Sequence, residues 1–554
     1  MTVPRLQSAA ELEQLRAAIR ASRDPEKPCI AVCTGAACGG LDSRYLVDAF
    51  EAEIRQRELG AKLDIRATGC HGFCAKGPDV VVTPGEICYF EVKPEDVPDI
   101  VAHTMKGEVL DRLVYRDPDT GQQAVRLSEV PFYKQQTRLL IGDNPRIDPT
   151  RIEDYLALGG YAALSKALFE MSPEQVLDEV KKANLRGRGG GGFPAGLKWE
   201  TAKTASEPEK YVIVNAHEGE PGAFMDRALF TGNPHKVIEG LIIGAYAIGA
   251  HRGFIYTRHD SPQLIHHIET ALAQAQTHGL LGDNILGSGF SFAVELHFDV
   301  GIFVSGESSA LMRSIEGNPP EPRPKYIRTS VSGIWDKPSN LNNVETWANI
   351  PQIISRGAEW YASIGTERSK GTKLISLSGH VVNSGVVEVP MGTPLRTIVY
   401  DIGGGIAGGK AAKAVHLGGP MGGSIPERLM DTPLDFDALA KLGAPIGAGG
   451  LLVMDVDTDM VDVARYLLEF LTTESCGKCV PCREGMRQML KILTNMTKGT
   501  AKSGDIQRLE DLSEVTGAAC LCALGKTAPD PLRSMLRYFR DEYEARLAGA
   551  SEAQ

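Results

Sequence analysis

Three cysteines near the C-terminus have the spacing of an iron–sulfur ligand set. Cys476, Cys479 and Cys482 form a C-x₂-C-x₂-C run, and Gly477 and Pro481 keep the loop tight. This spacing is typical of a [4Fe–4S] cluster, with zinc as the weaker alternative. A cubane cluster needs a fourth thiolate, and the later pair Cys520 and Cys522 offers two candidates.

A second group of cysteines lies near the N-terminus. Four residues separate Cys33 from Cys38, and three separate Cys70 from Cys74. Four thiolates on two neighbouring loops can bind a [2Fe–2S] cluster or a tetrahedral zinc ion. Structural zinc sites mostly use tighter pairs, so the spacing favours the cluster. The remaining thiols of this region, Cys29 and Cys88, fall in or beside predicted strands and are interpreted as packed side chains.

A glycine-rich stretch at 185–199 points to a bound phosphate. Its glycines let backbone N–H groups approach a ligand closely, and Arg188 and Lys198 add positive charge. The formal G-x-G-x-x-G match is weak, because a helix that begins with the capping box Ser172–Gln175 precedes it instead of a strand. The stretch therefore predicts a phosphate or flavin cradle of another kind. A flexible linker is the alternative, which the rigid apolar run 193–199 disfavours.

Polar groups follow three predicted strands. Asn215–Gly222 comes after a buried run and carries Glu218 and Glu220, which suit hydrogen bonds to ribose or a carboxamide. Phe298–Val304 is predicted as a strand that leads to Gly306, Glu307 and a helix N-terminus suited to an anion. Asn342, Asn343 and Thr346 offer amides and a hydroxyl that can bind the edge of a planar polar ring.

The totals limit the class of protein. The chain has 554 residues, enough for roughly three or four domains, and a net charge of −11 that argues against nucleic acid and anionic membranes as partners. No apolar run reaches the ~18 residues of a membrane span, and no signal core precedes the first domain, so we expect a cytoplasmic protein that does not itself span a membrane. Eleven cysteines in mostly tight clusters favour metal ligation over disulfides.

The elements that must position these residues form an α/β protein of several domains. At the N-terminus, strand, helix, strand and hairpin patterns predict a small thioredoxin-like unit with cysteines at its loop tips. This unit resembles the thioredoxin-like [2Fe–2S] ferredoxins, including the small partner subunit of the respiratory complex I flavoprotein.

A wider resemblance covers about residues 130–540. The chain is similar to the NADH-binding flavoprotein subunit of respiratory complex I and to the diaphorase subunits of NAD-linked hydrogenases and formate dehydrogenases. The motifs that carry the resemblance occur in the family's order: Arg186–Trp199, Asn215–Gly222, Gly306–Glu307, 322–325, Asn342–Thr346 and the C-terminal cysteine run.

The resemblance implies two nucleotide sites and two clusters. It implies FMN bound by Gly187, Arg188, Gly189, Gly190, Lys198, Asn215, Glu307, Asn342, Asn343 and Thr346. It implies NAD(H) or NADP(H) stacked over the flavin near Phe193, Glu218, Glu220, Lys325 and Arg328. It places the fourth ligand of the [4Fe–4S] cluster at Cys522, directly before Ala-Leu-Gly, and leaves Cys520 spare.

The residue patterns and the resemblance together divide the chain. We expect a helical, solvated arm at 1–28, the thioredoxin-like [2Fe–2S] domain at 29–115, a linker at 116–150, and a Rossmann-like FMN and dinucleotide domain at 151–370. A ubiquitin-like β-grasp insert is expected at 371–434 and a helical [4Fe–4S] domain at 435–554.

The chain departs from the family pattern around the dinucleotide. His217 and Gly219 stand where the family has Asp and Ser, and Ser308 and Ser309 where it has Glu and Thr. Thr201 and Arg328 occupy the places of two adenine-stacking phenylalanines. Stacking on adenine, pairing with a 2′-phosphate of NADPH and an ordinary surface charge are all consistent with Arg328.

The motifs lead to three hypotheses for function. The first is an electron-input enzyme: hydride passes between NAD(P)H and FMN, and single electrons pass to the [4Fe–4S] cluster and on to partner subunits. Such partners would be a small [2Fe–2S] subunit, a hydrogenase, a formate dehydrogenase, a heterodisulfide-reductase-like enzyme or a quinone-linked arm. The second is a flavin and cluster relay that exchanges electrons with proteins such as ferredoxin and binds no nicotinamide. The third, a zinc-stabilised thiol oxidoreductase, lacks a C-x-x-C pair in the thioredoxin-like unit.

Overall fold

A computed structural model describes residues 5–41, 43–118, 120–324, 326 and 328–552, with the backbone alone at 36 and 548–552. It contains three main sheets and a C-terminal helical layer, as the α/β multidomain class predicts. In the described ranges, no helix has both the length and the apolar character needed to cross a bilayer.

The first sheet lies near the N-terminus. Its strands run in the order β2-β1-β3-β4, with β1 parallel to β2 and antiparallel to β3. The first strand is completely buried, which is typical of a central strand covered on both faces. The strands are β1 (Cys29–Cys33), β2 (Asp64–Thr68), β3 (Val80–Thr83) and β4 (Ile87–Tyr89), and the helices that precede or cover them are α1 (Ala9–Ala21), α2 (Ala36–Gly39), α3 (Ser43–Gln56) and α4 (Val97–Lys106).

A short connecting region follows. It contains the hairpin of β5 (Tyr115–Arg116) and β6 (Gln123–Ala124) and the single helical turn α5 (Pro131–Lys134).

The second sheet is parallel and carries the polar loops. Its order is β10-β7-β8-β9, so the loops that follow β7 and β10 leave neighbouring strands at the same edge. The strands are β7 (Tyr211–Ala216), β8 (Arg252–Thr257), β9 (Ala293–Phe298) and β10 (Ser339–Asn343). The helices around them are α6 (Ile152–Ala157), α7 (Ala162–Glu170), α8 (Pro173–Lys182), α9 (Ala195–Thr204), α10 (Met225–Gly232), α11 (Pro234–Ile248), α12 (Pro262–Thr277), α13 (Ser308–Ile315), α14 (Val344–Arg356) and α15 (Ala358–Ala362).

The predicted strand at 298–304 is wrong. Strand β9 ends at Phe298, and Phe303–Gly306 forms a 3₁₀ turn. The backbone N–H of Asp299 still donates to Thr257 O at 2.9 Å, and the chain then turns at Gly301, whose φ is 78°.

The third sheet has five strands in the order β12-β11-β15-β13-β14. They are β11 (Thr372–Gly379), β12 (Gly385–Pro390), β13 (Ala412–Leu417), β14 (Gly423–Pro426) and β15 (Gly450–Asp455), with α16 (Phe436–Lys441) before the last strand. The predicted boundary at 434/435 is wrong, because β15 inserts between β11 and β13 and pairs with both. The strand is a short continuous apolar run, 451–454, and helical segments on either side make it hard to recognise as a strand.

Helices alone form the C-terminal layer. They are α17 (Met460–Glu474), α18 (Val480–Thr497), α19 (Asp505–Ala519), α20 (Ala523–Thr527), α21 (Asp530–Tyr538) and α22 (Arg540–Glu552). The apolar stripe predicted from Val461 to Leu471 is buried in their shared core, as expected for a packing face.

Neither the N-terminal arm nor the region 116–150 is a solvated connector, contrary to expectation. Leu12 of the arm is buried in the core of the second sheet's domain. The Asp154 carboxylate pairs with Arg23 from the end of the arm at 2.5 Å and with Arg66 of the first sheet at 2.9 Å. In the second region, the Phe132 ring stacks on Phe73 with 4.2 Å between centroids. The region 116–150 is rich in turn residues and the arm is rich in charged residues, and neither composition reveals these few buried contacts.

We expect Phe132→Ala to loosen the region 116–150. Removing a fully buried ring costs about 3 kcal/mol, which is roughly a 100-fold rise in the population of the locally open form. Limited proteolysis in this region measures that population when opening is faster than cleavage. Phe169, which is 45% exposed, provides the matched control as Phe169→Ala. Equal cleavage rates for the two variants would contradict the packed arrangement.

Candidate functional site

A cleft of about 370 Å³ lies where the second sheet, the third sheet and the C-terminal helices meet. This volume is within the range of small-molecule sites. Most residues that the sequence selected line it: Gly187, Gly189, Phe193, Lys198, Asn215, Glu218, Glu220, Glu307, Asn342, Asn343 and Thr346. The parallel sheet explains why residues so distant in sequence converge, since β7 and β10 end side by side.

The glycine-rich loop forms one wall of the cleft. Gly187 N–H donates to Phe193 O at 2.9 Å, and Arg188 N–H donates to Thr346 Oγ1 at 2.9 Å, so the loop is folded back on itself and tied to α14. A Cβ at Gly189 would lie 2.9 Å from the Asn343 Cβ, and one at Gly191 would meet no atom within 4 Å. A side chain at Gly189 would therefore press against Asn343, whereas the backbone at Gly191 is uncovered.

The interpretation of Arg188 as a charge for phosphate is wrong. Its side chain is fully buried, and its guanidinium donates to the carbonyl oxygens of Lys370 at 2.6 Å and Thr372 at 3.0 Å. Arg188 Nε also lies 3.7 Å from Glu345, which pairs with Lys373 in the same buried cluster. The sequence cannot show this, because the partners lie far along the chain. Gly190 likewise does not line the cleft and instead bridges to Gly447 of the third sheet's domain.

Lys198 is the cation that does line the cleft. It lies on α9, directly after the loop, and its ammonium donates to Leu341 O at the end of β10. An ammonium held at this position faces the same space as the loop backbone. Of these two cations, Lys198 and not Arg188 is therefore placed to supply the charge expected for a phosphate.

The helix that begins at Ser308 does not offer a vacant anion site. The Glu307 carboxylate caps it, accepting from Ser309 N–H at 2.9 Å and Ala310 N–H at 3.1 Å. Its side chain thus occupies the place predicted for a ligand anion, because the residue before the helix is itself acidic. Asn215 closes the same corner by donating from Nδ2 to Gly306 O at 2.9 Å.

Acidic side chains line the opposite part of the cleft. Glu218 caps α10 by accepting from the N–H groups of Asp226 at 2.9 Å and Arg227 at 3.0 Å. Asp226 Oδ2 accepts from Asn343 Nδ2 at 2.5 Å. Burial, together with Glu218 and Glu345, raises the pKa of Asp226, so its protonated form is favoured.

Enclosed polar atoms in this cleft have no hydrogen-bond partner in the described part of the chain. They are Asp226 Oδ1, Glu220 Oε1 and His217 Nδ1. Buried polar atoms normally find partners, so this set fits a polar ligand. A flavin mononucleotide meets the requirement, because its ring carries several donors and acceptors and its phosphate suits the bare loop and Lys198.

Several cleft residues were not selected from the sequence. Asp226, Phe303, Met421, Ala448, Ala523 and Leu524 line it, and so does His217, which was noted only as a departure. Asp226 carries a recognisable signal, since it is an acid at the start of an apolar helix. Apart from His217, the others are small or apolar residues that only the assembled fold brings here.

The five C-terminal cysteines meet beside this cleft. Cys476, Cys479, Cys482 and Cys522 line a small cavity that also includes Val304 and Leu524, and both of these apolar residues line the cleft as well. The thiols of Cys479, Cys482 and Cys520 lie within 4.8 Å of one another. A hydrogen bond with Cys520 lowers the pKa of Cys482 to about 6, which favours a thiolate.

The four N-terminal cysteines also come together. Cys33, Cys38, Cys70 and Cys74 line one closed pocket together with Asp79. His71 is buried between the second pair and bridges Thr68 Oγ1 and Asp79 Oδ2, each at 2.6 Å. Cys29 and Cys88 are buried and do not line this pocket, which agrees with their interpretation as packed thiols.

Only some of the residues predicted to bind a dinucleotide lie in or beside the cleft. Phe193, 54% exposed, lies at the edge of the cleft, with Glu218 and Glu220 inside it. Arg328 is exposed and does not line the cleft, and Lys325 lies outside the described residues.

Glu220 should titrate near neutral pH. Burial, and then the nearby Glu218, raises its pKa to about 7 against the opposing effect of Lys373. The carboxyl group is therefore neutral below this pH and anionic above it. Infrared spectroscopy of protein without bound cofactor should show one carboxyl group titrating near pH 7, and Glu220→Gln should abolish it. Glu207→Gln removes an exposed carboxylate outside the cleft and should leave the titration unchanged. A persisting titration in Glu220→Gln would assign it elsewhere.

Comparison with known proteins identifies the family. Residues 180–352 match the Nuo51 FMN-binding domain, and residues 462–546 match the NADH-ubiquinone oxidoreductase-F iron-sulfur binding region. The NADP-reducing hydrogenase subunit HndC of Solidesulfovibrio fructosivorans is 48% identical over 74% of this chain and 84% of its own length. The NADH-quinone oxidoreductase F protein of Escherichia coli is 40% identical over 72% of this chain and 90% of its own.

A solved structure supports the same relationship. A chain of an NAD⁺-reducing [NiFe]-hydrogenase in the H₂-reduced state superposes with a TM-score of 0.66 at 26% identity, covering 98% of this chain and 90% of that chain. The chain therefore belongs to the NADH-quinone oxidoreductase F family of flavin and [4Fe–4S] oxidoreductases, the electron-input subunits of larger redox complexes.

Proposed function

We propose that FMN binds in the cleft with its phosphate against the glycine-rich loop and its ring between the loop and Glu307. The backbone of Gly187, Gly189 and Gly191, together with Lys198, would hold the phosphate, and Asn215, Asn342 and Asn343 would hold the ring. When bound, FMN supplies a hydride acceptor that can release electrons one at a time. The role of the protein is to position the flavin, to exclude water from it and to surround it with polar groups.

One observation carries this proposal. Val304 and Leu524 line both the cleft and the cavity of the C-terminal cysteines, so a flavin in the cleft lies one apolar layer from a cluster. This short separation would allow single electrons to pass from the flavin to the cluster. A simple nucleotide-binding site would not require it.

We infer that a nicotinamide nucleotide enters from the side of Phe193. The exposed ring of Phe193 offers a stacking surface at the mouth of the cleft, and Glu218 and Glu220 lie deeper. Position 308 is a serine, so the entrance of the cleft has no second acid beside Glu307. This arrangement suits either NADH or NADPH. Lys325 and Arg328 remain proposed contacts of the nucleotide.

The N-terminal domain has the strand order and the cysteine pocket that suit a thioredoxin-like [2Fe–2S] ferredoxin, and we propose this assignment for it. We likewise propose a β-grasp origin for the third sheet. Electrons from the [4Fe–4S] cluster would leave to a partner subunit. A small [2Fe–2S] subunit, a hydrogenase, a formate dehydrogenase, a heterodisulfide-reductase-like enzyme and a quinone-linked arm are the candidate classes.

Anaerobic reduction tests the proposed activity. FMN-loaded protein is mixed with NADH and, separately, with NADPH, and the flavin absorbance is followed. We expect at least one nucleotide to bleach the flavin. Absence of bleaching with both would instead support the relay module that exchanges electrons with proteins, a role that the position of Arg328 outside the cleft favours.

Paired cysteine variants test the cluster assignment. We expect Cys522→Ser to lose the [4Fe–4S] cluster, because Cys522 lines the same cavity as Cys476, Cys479 and Cys482. Cys520→Ser is the matched control and should keep the cluster. Iron and acid-labile sulfide analysis with low-temperature EPR measures the outcome, and the opposite pattern would make Cys520 the ligand.

A further inference from the structure

A buried carboxylate lies beside the sulfur of an N-terminal cysteine. Asp79 is only 2% exposed, and it lines the closed pocket of Cys33, Cys38, Cys70 and Cys74. Asp79 Oδ1 lies 3.8 Å from Cys38 Sγ. The Asp79 carboxylate and the sulfurs of Cys33 and Cys38 all lie within 4.8 Å of one another. The carboxylate therefore belongs to the immediate surroundings of any metal centre in this pocket.

The neighbouring His71 fixes which oxygen of Asp79 faces the pocket. Thr68 Oγ1 donates to Val32 O at 2.9 Å, so it must accept at its 2.6 Å contact with His71 Nε2. At the other side of the ring, His71 Nδ1 and Asp79 Oδ2 share one proton at 2.6 Å. His71 does not line the pocket, so this proton lies on the far side of the carboxyl group. Whichever partner holds it, Oδ1 faces Cys38 without a hydrogen.

Iron binding changes the contact between Asp79 and Cys38. A protonated thiol can donate to Oδ1, but the thiolate that binds iron has no hydrogen to donate. The oxygen and the sulfur then face each other with lone pairs on both atoms. Negative charge on a neighbouring atom opposes the electron that a cluster gains on reduction, whereas hydrogen bonds to ligand sulfurs favour it. Asp79 therefore lowers the reduction potential of a cluster in this pocket.

The C-terminal cysteines have the opposite arrangement. Ser475 lines their cavity, and its Oγ lies 3.2 Å from Cys482 Sγ and accepts from Gly477 N–H at 3.2 Å. Either atom of the Ser475–Cys482 contact can donate while Cys482 is a thiol, but only the hydroxyl can donate to a thiolate. This hydrogen bond to a ligand sulfur favours the reduced cluster, so Ser475 raises its potential.

Nearby cations do not account for this difference, because both cysteine groups have one. Arg138 donates to His71 O at 2.5 Å near the N-terminal group. Arg483 donates to Gly477 O at 2.7 Å beside the C-terminal group. The two sites differ in the polar atom that meets a ligand sulfur, which is an acceptor oxygen in one and a hydroxyl donor in the other.

We propose that Asp79 and Ser475 bias the two clusters in opposite directions, so that electrons from the cleft fill the C-terminal cluster before the N-terminal one. The inference rests on the proposed function, in which both cysteine groups bind clusters. Each transfer moves one electron, so the flavin is oxidised and one cluster is reduced by the same amount. The C-terminal cluster is thereby the preferred exit, and the N-terminal cluster fills only when that exit is already reduced.

Potentiometric titration followed by low-temperature EPR measures both clusters in one sample of the FMN-loaded chain. We expect Asp79→Asn to raise the potential of the N-terminal cluster, because the neutral amide either donates to Cys38 or presents a less negative oxygen. A ten-fold change in the reduction equilibrium is expected, which is about 59 mV for one electron. The C-terminal cluster is the internal reference and should not shift. Asp48→Asn removes an exposed carboxylate of α3 and is the matched control.

Ser475→Ala tests the other half of the proposal. It should lower the potential of the C-terminal cluster by a similar factor, with the N-terminal cluster as the unshifted reference. An unchanged N-terminal potential in Asp79→Asn, an unchanged C-terminal potential in Ser475→Ala, or a wild-type N-terminal potential above the C-terminal one would each overturn the proposal.

Cluster content is measured first, by iron and acid-labile sulfide analysis. Iron for only one cluster in the wild type would reject the proposed [2Fe–2S] assignment itself, which is a separate result from an unshifted potential. If Asp79→Asn assembles no N-terminal cluster, Asp79→Ser provides a second neutral replacement. Failure of both variants to assemble the cluster would make Asp79 a residue of cluster assembly and would also overturn the proposal. The titration needs no nicotinamide, so it is decisive whichever nucleotide bleaches the flavin.

Discussion

The cleft depends on a buried ionic cluster behind the glycine-rich loop. The four consecutive glycines at 189–192 offer no side chains that could fix their own shape, so their position must be imposed from behind. Arg188 does this, because its guanidinium donates to the carbonyl oxygens of Lys370 and of Thr372, the first residue of β11, while its backbone is tied to Thr346. Glu345 and Lys373 complete the cluster and satisfy the buried charges. Buried ion pairs contribute little net stability, but breaking one is costly, so the cluster specifies one loop position.

The same cluster joins domains. Arg188 and Glu345 belong to the domain of the second sheet, and Lys373 lies in β11 of the third sheet. The bridge between Gly190 and Gly447 adds a backbone contact across the same boundary. The C-terminal helices then close the far side through Ala523 and Leu524. The distance between a flavin and the cysteine cavity is therefore set by packing among three units and not by any one domain.

The residues that could do chemistry are easier to predict from the sequence than the buried contacts that hold them in place. Cysteine spacing selected two ligand groups that the fold does bring together, because metal ligands must recur at short, fixed intervals. Asn215 and Asn342 both line the cleft, since parallel strands deliver their ends to one edge. The sequence misleads at Arg188, because an arginine among glycines is typical of phosphate binding, while most partners of its guanidinium lie more than 150 residues away. Strand β15 was missed because only pairing with distant strands distinguishes it from the helical pattern around it.

The walls of the cleft come from positions as far apart as Gly187 and Leu524. During synthesis on the ribosome, the loop emerges long before the residues that enclose it. A cofactor bound to the early part of the chain would lie open to water and dissolved oxygen. Strand β15 is needed to complete the third sheet, and α20 is needed to complete the far wall of the cleft. The enclosed cleft therefore forms only after almost the whole polypeptide has been translated. Loading of the flavin is thereby linked to completion of the fold.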